Sequence, residues 1–252
     1  MANNKLIVRQ KDVEARAKSE GLDFVTYPSN FDFNSPYDRV LNSEKRNQIA
    51  DKQVKVIAEG GEFDQFLDNL NVGNSIKTKF TDMFYGKPLF ALAIKSGANI
   101  NFNSLKRALE AADGNYDKQV YLTDQFCAQL TMSAIQGTAR DIYSAFVLSQ
   151  NGKESKYSNS KSFYDFYTQM MNESIFEINT APGKMPPIIE KLNGYAKTLN
   201  KQFDDGKLTP QYADQVFKLV RKDMENVITN SRQMSTGQTY FPQDRKNIKF
   251  QK

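Results

Sequence analysis

The sequence predicts an all-α protein: an irregular multi-helix core with extended N- and C-terminal arms. Three observations predict it. Apolar residues recur at spacings of three and four through most of the middle of the chain, whereas strict apolar–polar alternation never persists beyond a few residues. Capping residues, prolines and glycines fall at the edges of those periodic runs, where helix ends need them. The two ends lose the period yet keep aromatic residues.

Taken in order, residues 3–20 predict a short helix, with Leu6, Val13 and Ala17 loosely on one side and Gly21 as a left-handed stop. The next stretch carries Tyr27-Pro28 and Ser35-Pro36. A residue before proline is pushed out of the helical region, so this segment should be extended. Phe24, Tyr27, Phe31, Phe33 and Tyr37 lie within it, too much apolar surface to leave in water. Residues 1–41 therefore read as an N-terminal arm whose aromatics dock on other molecules.

Residues 42–150 read as the helical core. Ser43 to Glu59 suits a helix ending at Gly60-Gly61. Shorter ones follow around Phe63–Leu70, Ile76–Phe84 and Pro88 to Gly97, the last opened by proline in its first turn. Asn103 reads as the cap of Ser104–Asp113, whose Leu105, Ala108 and Leu109 form a stripe before Gly114. The longest tract spans 116–150, with Leu122, Phe126, Leu130, Ala134, Ile142 and Phe146 spaced mostly by four, and Gly137 as an expected kink or division. Residues 151–161 are a polar, basic loop.

The C-terminal lobe, 162–234, begins with a helix marked by Phe163, Phe166, Met170 and Phe176 and stopped at Ala181-Pro182-Gly183. It ends in a helical hairpin: Pro187 to Phe203, closed by Asp205-Gly206, then Thr209-Pro210 to about Arg232, with Thr209 as cap and proline at the first helical position. Residues 235–252 form an extended basic tail carrying Tyr240-Phe241. One fragment, GKPLFALAIKSGANINF, matches part of an ankyrin repeat, but no second copy lies about 33 residues away, so a plain helix–turn reading is preferred.

Composition excludes more chemistry than any motif suggests. Among 252 residues there is one Cys, no His and no Trp. Without imidazole, Ser-His-Asp hydrolysis, zincin chemistry and Cys-His proteolysis are all excluded. No Gly-Lys pair has the glycine five positions upstream that a phosphate-binding loop needs, and no GxGxxG occurs. Cys127, beside Phe126 and Ala128, reads as a buried structural thiol. Glu173 and Glu177 read as surface acids one helical turn apart. No catalytic residue, metal site or cofactor is expected. Charges flank Leu6-Ile7-Val8, leaving no apolar stretch for a signal peptide, and no apolar run approaches a membrane span of about 20 residues, so no membrane partner is expected.

Cations and anions balance at seventeen each in 1–126, so the whole +5 excess is C-terminal; 232–252 holds five cations against Asp244 alone. Lys153, Lys156, Tyr157, Lys161 and Tyr164 cluster around the central loop. Arg140 lies on the helix leading into it, and Lys106-Arg107 offers a second edge. Cations neutralise phosphates and tyrosine faces stack on unpaired bases, the chemistry of sequence-tolerant single-strand binding.

The stretch YLTDQFCAQLTMSAIQ, followed about forty residues later by KSFYDFYTQMMN, resembles the core of coat proteins from flexuous filamentous plant viruses. The resemblance implies a helical core with exchanged terminal arms around RNA, Phe126-Cys127-Ala128 in that core and Asp165 near the RNA groove. The resulting expectation is a non-enzymatic viral structural protein of the virion or host cytoplasm. It would form a filament or ring with itself through Phe24, Tyr27, Phe31, Phe33, Tyr37, Tyr240 and Phe241, and bind single-stranded RNA. Two alternatives stand beside it: a bacteriophage head–tail adaptor or ring protein docking on other virion proteins, and a monomeric helical adaptor with both arms folded on its own core.

Overall fold

Leucine, alanine and aromatic residues at helical spacing dominate the interior, and the result is helical. The computed structural model describes residues 5–26, 61–84, 88–150, 159–179 and 185–233, with scattered helical positions between 48 and 57. Among these residues the chain forms α1 (Gln10–Glu20), α2 (Glu62–Asp68), α3 (Asn74–Phe84), α4 (Pro88–Lys95), α5 (Phe102–Ala111), α6 (Tyr116–Ser149), α7 (Asn159–Glu173), α8 (Pro187–Asp204) and α9 (Pro210–Gln233). Four short strands accompany them: β1 (Lys5–Val8), β2 (Val25–Thr26), β3 (Asn99–Ile100) and β4 (Phe176–Asn179). The all-α class holds, and no helix among the described residues is long and apolar enough to cross a membrane.

The axis of the molecule is α6, whose 34 residues at 1.5 Å each make a rod about 50 Å long. Helices α1, α3, α4, α5, α7, α8 and α9 all pack against it. Its polar residues are buried with its apolar ones, and most of the hydroxyls are satisfied within the helix, the buried Ser133 Oγ being an exception. Thr123, Thr131, Thr138 and Ser144 each donate to the carbonyl four residues back, at 2.8–2.9 Å. Gly137 does not divide this helix, which runs unbroken from Tyr116 to Ser149. A Cβ there would lie 2.0 Å from the Ser96 Cβ and 2.8 Å from its Cα, so the glycine lets the turn after α4 approach the α6 backbone.

Other ends follow the sequence closely. Gly21 takes φ 66°, and the Leu22 N–H donates to the Ala17 carbonyl at 2.8 Å. The Thr209 hydroxyl accepts from the Tyr212 N–H at 3.2 Å, with Pro210 opening α9. One cap differs in detail: α5 is capped by Asn101 rather than Asn103, its side chain accepting from Ser104 N–H at 3.0 Å, and Asn115 caps α6 by accepting from Lys118 N–H at 3.0 Å. Leu192, Ala196 and Leu199 of α8 and Val216, Val220 and Met224 of α9 are buried, and the two helices pack on each other and on α6. At the junction of α6, α7 and α9, the Phe146 ring meets Phe163 at 5.6 Å and Phe217 at 5.8 Å, both edge-on.

The N-terminal region departs most from expectation. Residues 5–8, expected in a helix, form β1 and pair antiparallel with β4, placing Leu6 opposite Ile178 and Val8 opposite Phe176. All four side chains are buried, so the β-branched pair Ile7-Val8 belongs to a half-covered ribbon and the helix starts only at Gln10. Phe176, expected in the helix before it, is in β4 for the same reason. Phe24 was expected to dock on a neighbouring subunit; it is 0% exposed in its own core. The cause is a buried amide on α6. Gln129 Oε1 accepts from the Phe24 and Val25 N–H groups at 3.2 and 3.0 Å, and its Nε2 donates to the Leu22 carbonyl at 2.8 Å. Thus residues 5–26 of the expected arm belong to the core. Tyr27, Phe31, Phe33, Tyr37, Tyr240 and Phe241 lie outside the described residues.

Candidate nucleic-acid interface

The residues expected to meet RNA divide sharply by helix. Lys161, expected at the end of a loop, is in the first turn of α7, where Lys161, Tyr164 and Asp165 share one exposed face by their spacing of three and four. Tyr164 keeps 37% of its surface exposed, one of the few large aromatics that does. Two residues further, Phe166 is half-buried beneath the Arg221 guanidinium of α9, 4.6 Å from its ring centre. Arg221 also donates to Glu225 at 2.7 Å. The C-terminal end of the same helix pair is fastened by Arg232, which reaches the Glu173 carboxylate from α9 and holds it below the usual carboxylate range. Glu177, expected one helical turn from Glu173, stands instead on β4.

Arg140 corrects the sequence reading. It is 8% exposed in the middle of α6, so it belongs to the interior rather than to a solvent-facing groove. The spacing of four that marks an apolar stripe on α6 does not reveal that helices cover the remaining faces as well. Lys106 and Arg107 are on α5, which packs against α2 and α6, whereas α7 packs against α6, α9 and α1. Lys106 is ion-paired with Glu110 at 3.2 Å, and Arg107 donates from Nε to the Asn103 carbonyl at 3.3 Å. The two basic edges therefore stand on separate parts of the fold. Lys153, Lys156 and Tyr157 lie outside the described residues.

Two buried ionisable groups near the middle of α6 escaped the sequence reading as a pair. Asp124 is 2% exposed; burial pushes its carboxyl up to about 6, opposed by the charge of Lys79. One turn on, burial pushes the Cys127 thiol up to about 12, with Asp124 adding to the effect. A thiol so placed stays protonated near neutral pH and is not a nucleophile there. Their common signal is position: both lie on a tract where every residue from Tyr121 to Ile142 is buried. Among the described residues, no group of three or more acidic or sulfur side chains is placed to hold a metal ion.

Comparison of the chain with protein-family models, with curated proteins and with solved structures gives no match in any of the three.

Proposed function

We propose that the chain is a non-enzymatic viral structural protein, a nucleoprotein or coat subunit that binds single-stranded RNA and assembles through its terminal aromatic segments. The observation carrying this reading is the exposed turn that opens α7. It presents Lys161 and Tyr164 together, directly after a stretch whose sequence supplies Lys153, Lys156 and Tyr157. Lysines there meet phosphates, and a tyrosine face stacks on a base, worth about 1–3 kcal/mol per base. Assembly rests on the aromatics beyond Thr26: a few docked rings at about 1.5–3 kcal/mol each would hold neighbours together against the ordering cost.

The test uses the full chain and a fluorescein-labelled 12-nucleotide single-stranded RNA, read by anisotropy at two salt concentrations. Affinity should fall steeply between 50 and 200 mM salt and drop roughly five- to tenfold in Lys161→Ala and Tyr164→Ala. Failure of the unaltered chain to bind RNA at low salt overturns the RNA reading. Replacing Tyr27, Phe31, Phe33 and Tyr37 by serine should dissolve oligomers measured by light scattering and leave helical circular dichroism unchanged.

A second reading, a monomeric helical adaptor, is favoured by Gln129, which fastens residues 22–25 to the same chain's α6. A monomer at all concentrations in light scattering would select it.

A further inference from the structure

Between α2 and the turn from β3 into α5 lies a cavity of about 510 Å³, within the roughly 300–1,000 Å³ usual for small-molecule sites. Its floor is aromatic. Phe66 and the half-buried Phe102 stand 5.3 Å apart with their planes inclined by 40°, and Ile100 lies beside them. Its rim is built from carboxamides.

Those carboxamides divide into two groups. Asn101 is committed as the cap of α5, and Asn69 donates from Nδ2 to the Gln65 carbonyl at 2.7 Å. The side-chain amides of Gln65, Asn99 and Asn103, in contrast, make no hydrogen bond among the described residues, and each is exposed at the opening. Each amide presents a donor and an acceptor in one plane. The sequence Asn99-Ile100-Asn101-Phe102-Asn103 supplies this arrangement by alternation, turning amides to the rim as its apolar residues go to the floor.

Charge selects the occupant further. Lys106 and Glu62 both line the cavity, and Lys106 is paired with Glu110. A pocket with balanced charge, an aromatic floor and an amide rim does not suit a phosphate; it suits a neutral, flat ring edged with donors and acceptors. Asparagine and glutamine pair with base edges in that way, and an aromatic face stacks on the ring.

We infer that this cavity binds one unpaired nucleobase, stacked on Phe102 and read at its edge by Gln65, Asn99 and Asn103. The inference deepens the proposed RNA binding and rests on it for the source of the base. It adds a site remote in sequence from Lys161.

The test uses the full chain and nucleoside 5′-monophosphates, with ribose 5-phosphate and methyl glucoside as comparison probes, read by saturation-transfer NMR titration. A monophosphate should bind at least tenfold more tightly than ribose 5-phosphate. Gln65→Ala and Asn103→Ala, both at exposed positions, should weaken it at least fivefold, and Phe102→Leu should do the same with helical circular dichroism retained. Lys161→Ala should leave monophosphate binding unchanged while weakening the RNA 12-mer. Equal binding of ribose 5-phosphate, preference for the glucoside, or indifference to Gln65→Ala and Asn103→Ala overturns the cavity assignment. RNA binding that depends on Lys161 without nucleotide in the cavity overturns this inference and leaves the proposed function standing. Monophosphate binding at Gln65 and Asn103 in a chain that ignores RNA supports the cavity and removes the RNA source. Absence of both kinds of binding removes both.

Discussion

Helices α6 and α9 are the two longest among the described residues, at 34 and 24 residues, and they meet water in opposite ways. In α9, Ala213, Val216, Val220, Met224 and Ile228 face the core while Lys218, Arg221 and Lys222 face solvent, the amphipathic stripe expected of a surface helix. In α6 glutamines, threonines and serines are as buried as the leucines, because other helices and the N-terminal segment enclose it. The difference teaches that polarity along a sequence does not measure exposure. On α9 most polar residues mark solvent, with the buried Ser231 an exception that accepts from the Ile175 N–H; on α6 polar side chains are buried, and many close on their own helix or, like Gln129, tie a neighbouring segment down.

The sharpest way to break this contrast is at two glycines. Gly137→Ala on α6 should cost about 3 kcal/mol or more in urea unfolding, because the new methyl meets Ser96 backbone as well as side chain. Gly194→Ala on the exposed side of α8 meets nothing within 4 Å and should instead stabilise by roughly 0.5–1 kcal/mol. Equal effects at the two positions would mean that α6 is not enclosed as described.

A joint can also be cut. Gln129→Leu keeps the volume but leaves the Phe24 and Val25 N–H groups and the Leu22 carbonyl without their partner. It should cost about 2–4 kcal/mol and raise hydrogen exchange of residues 22–26 by orders of magnitude. Unchanged exchange there would show that the N-terminal segment is held by packing alone.

Asp124 sharpens the comparison with a smaller effect. Burial raises its folded pKa from 3.8 to about 6, so the folded chain holds this proton more tightly than the unfolded one. The contribution to stability is therefore complete below about pH 4, declines as pH rises towards 6, and is absent above that. Asp124→Asn, which keeps the side chain neutral, should gain about 1–3 kcal/mol at pH 7.5 and almost nothing at pH 4. Chemical denaturation across that range checks both the size and the sign.

The same contrast explains what could be read from the sequence. The α8–α9 hairpin was legible almost to the residue: Pro187, Thr209-Pro210 and the apolar stripe between them are local signals with local causes. Lys161 and Tyr164 were legible as an exposed pair for the same reason. The pairing of Leu6 with Ile178 was not, since a two-stranded ribbon between distant segments leaves only a few β-branched letters at each end. Nor was the fate of Phe24, which depends on a glutamine more than a hundred positions away. Arg140 misled because its place on the helix leading into the loop does not reveal which helices cover it, and Gly137 because a glycine's low helix propensity does not reveal the close approach of Ser96. The cavity's amides stood in plain view as Asn99, Asn101 and Asn103. What was missing was the placement of α2, itself expected around Phe63–Leu70, which brings Gln65 and Phe66 against them.

The enclosure of α6 has a practical corollary for anyone who would watch this protein work. Its single sulfur nucleophile, Cys127, is sealed and protonated, so the native chain is silent towards maleimide dyes. A cysteine placed at Tyr116 or Leu219 would take label alone, giving a one-dye reporter without any background removal, while slow modification of Cys127 itself would serve as a clock for opening of the rod.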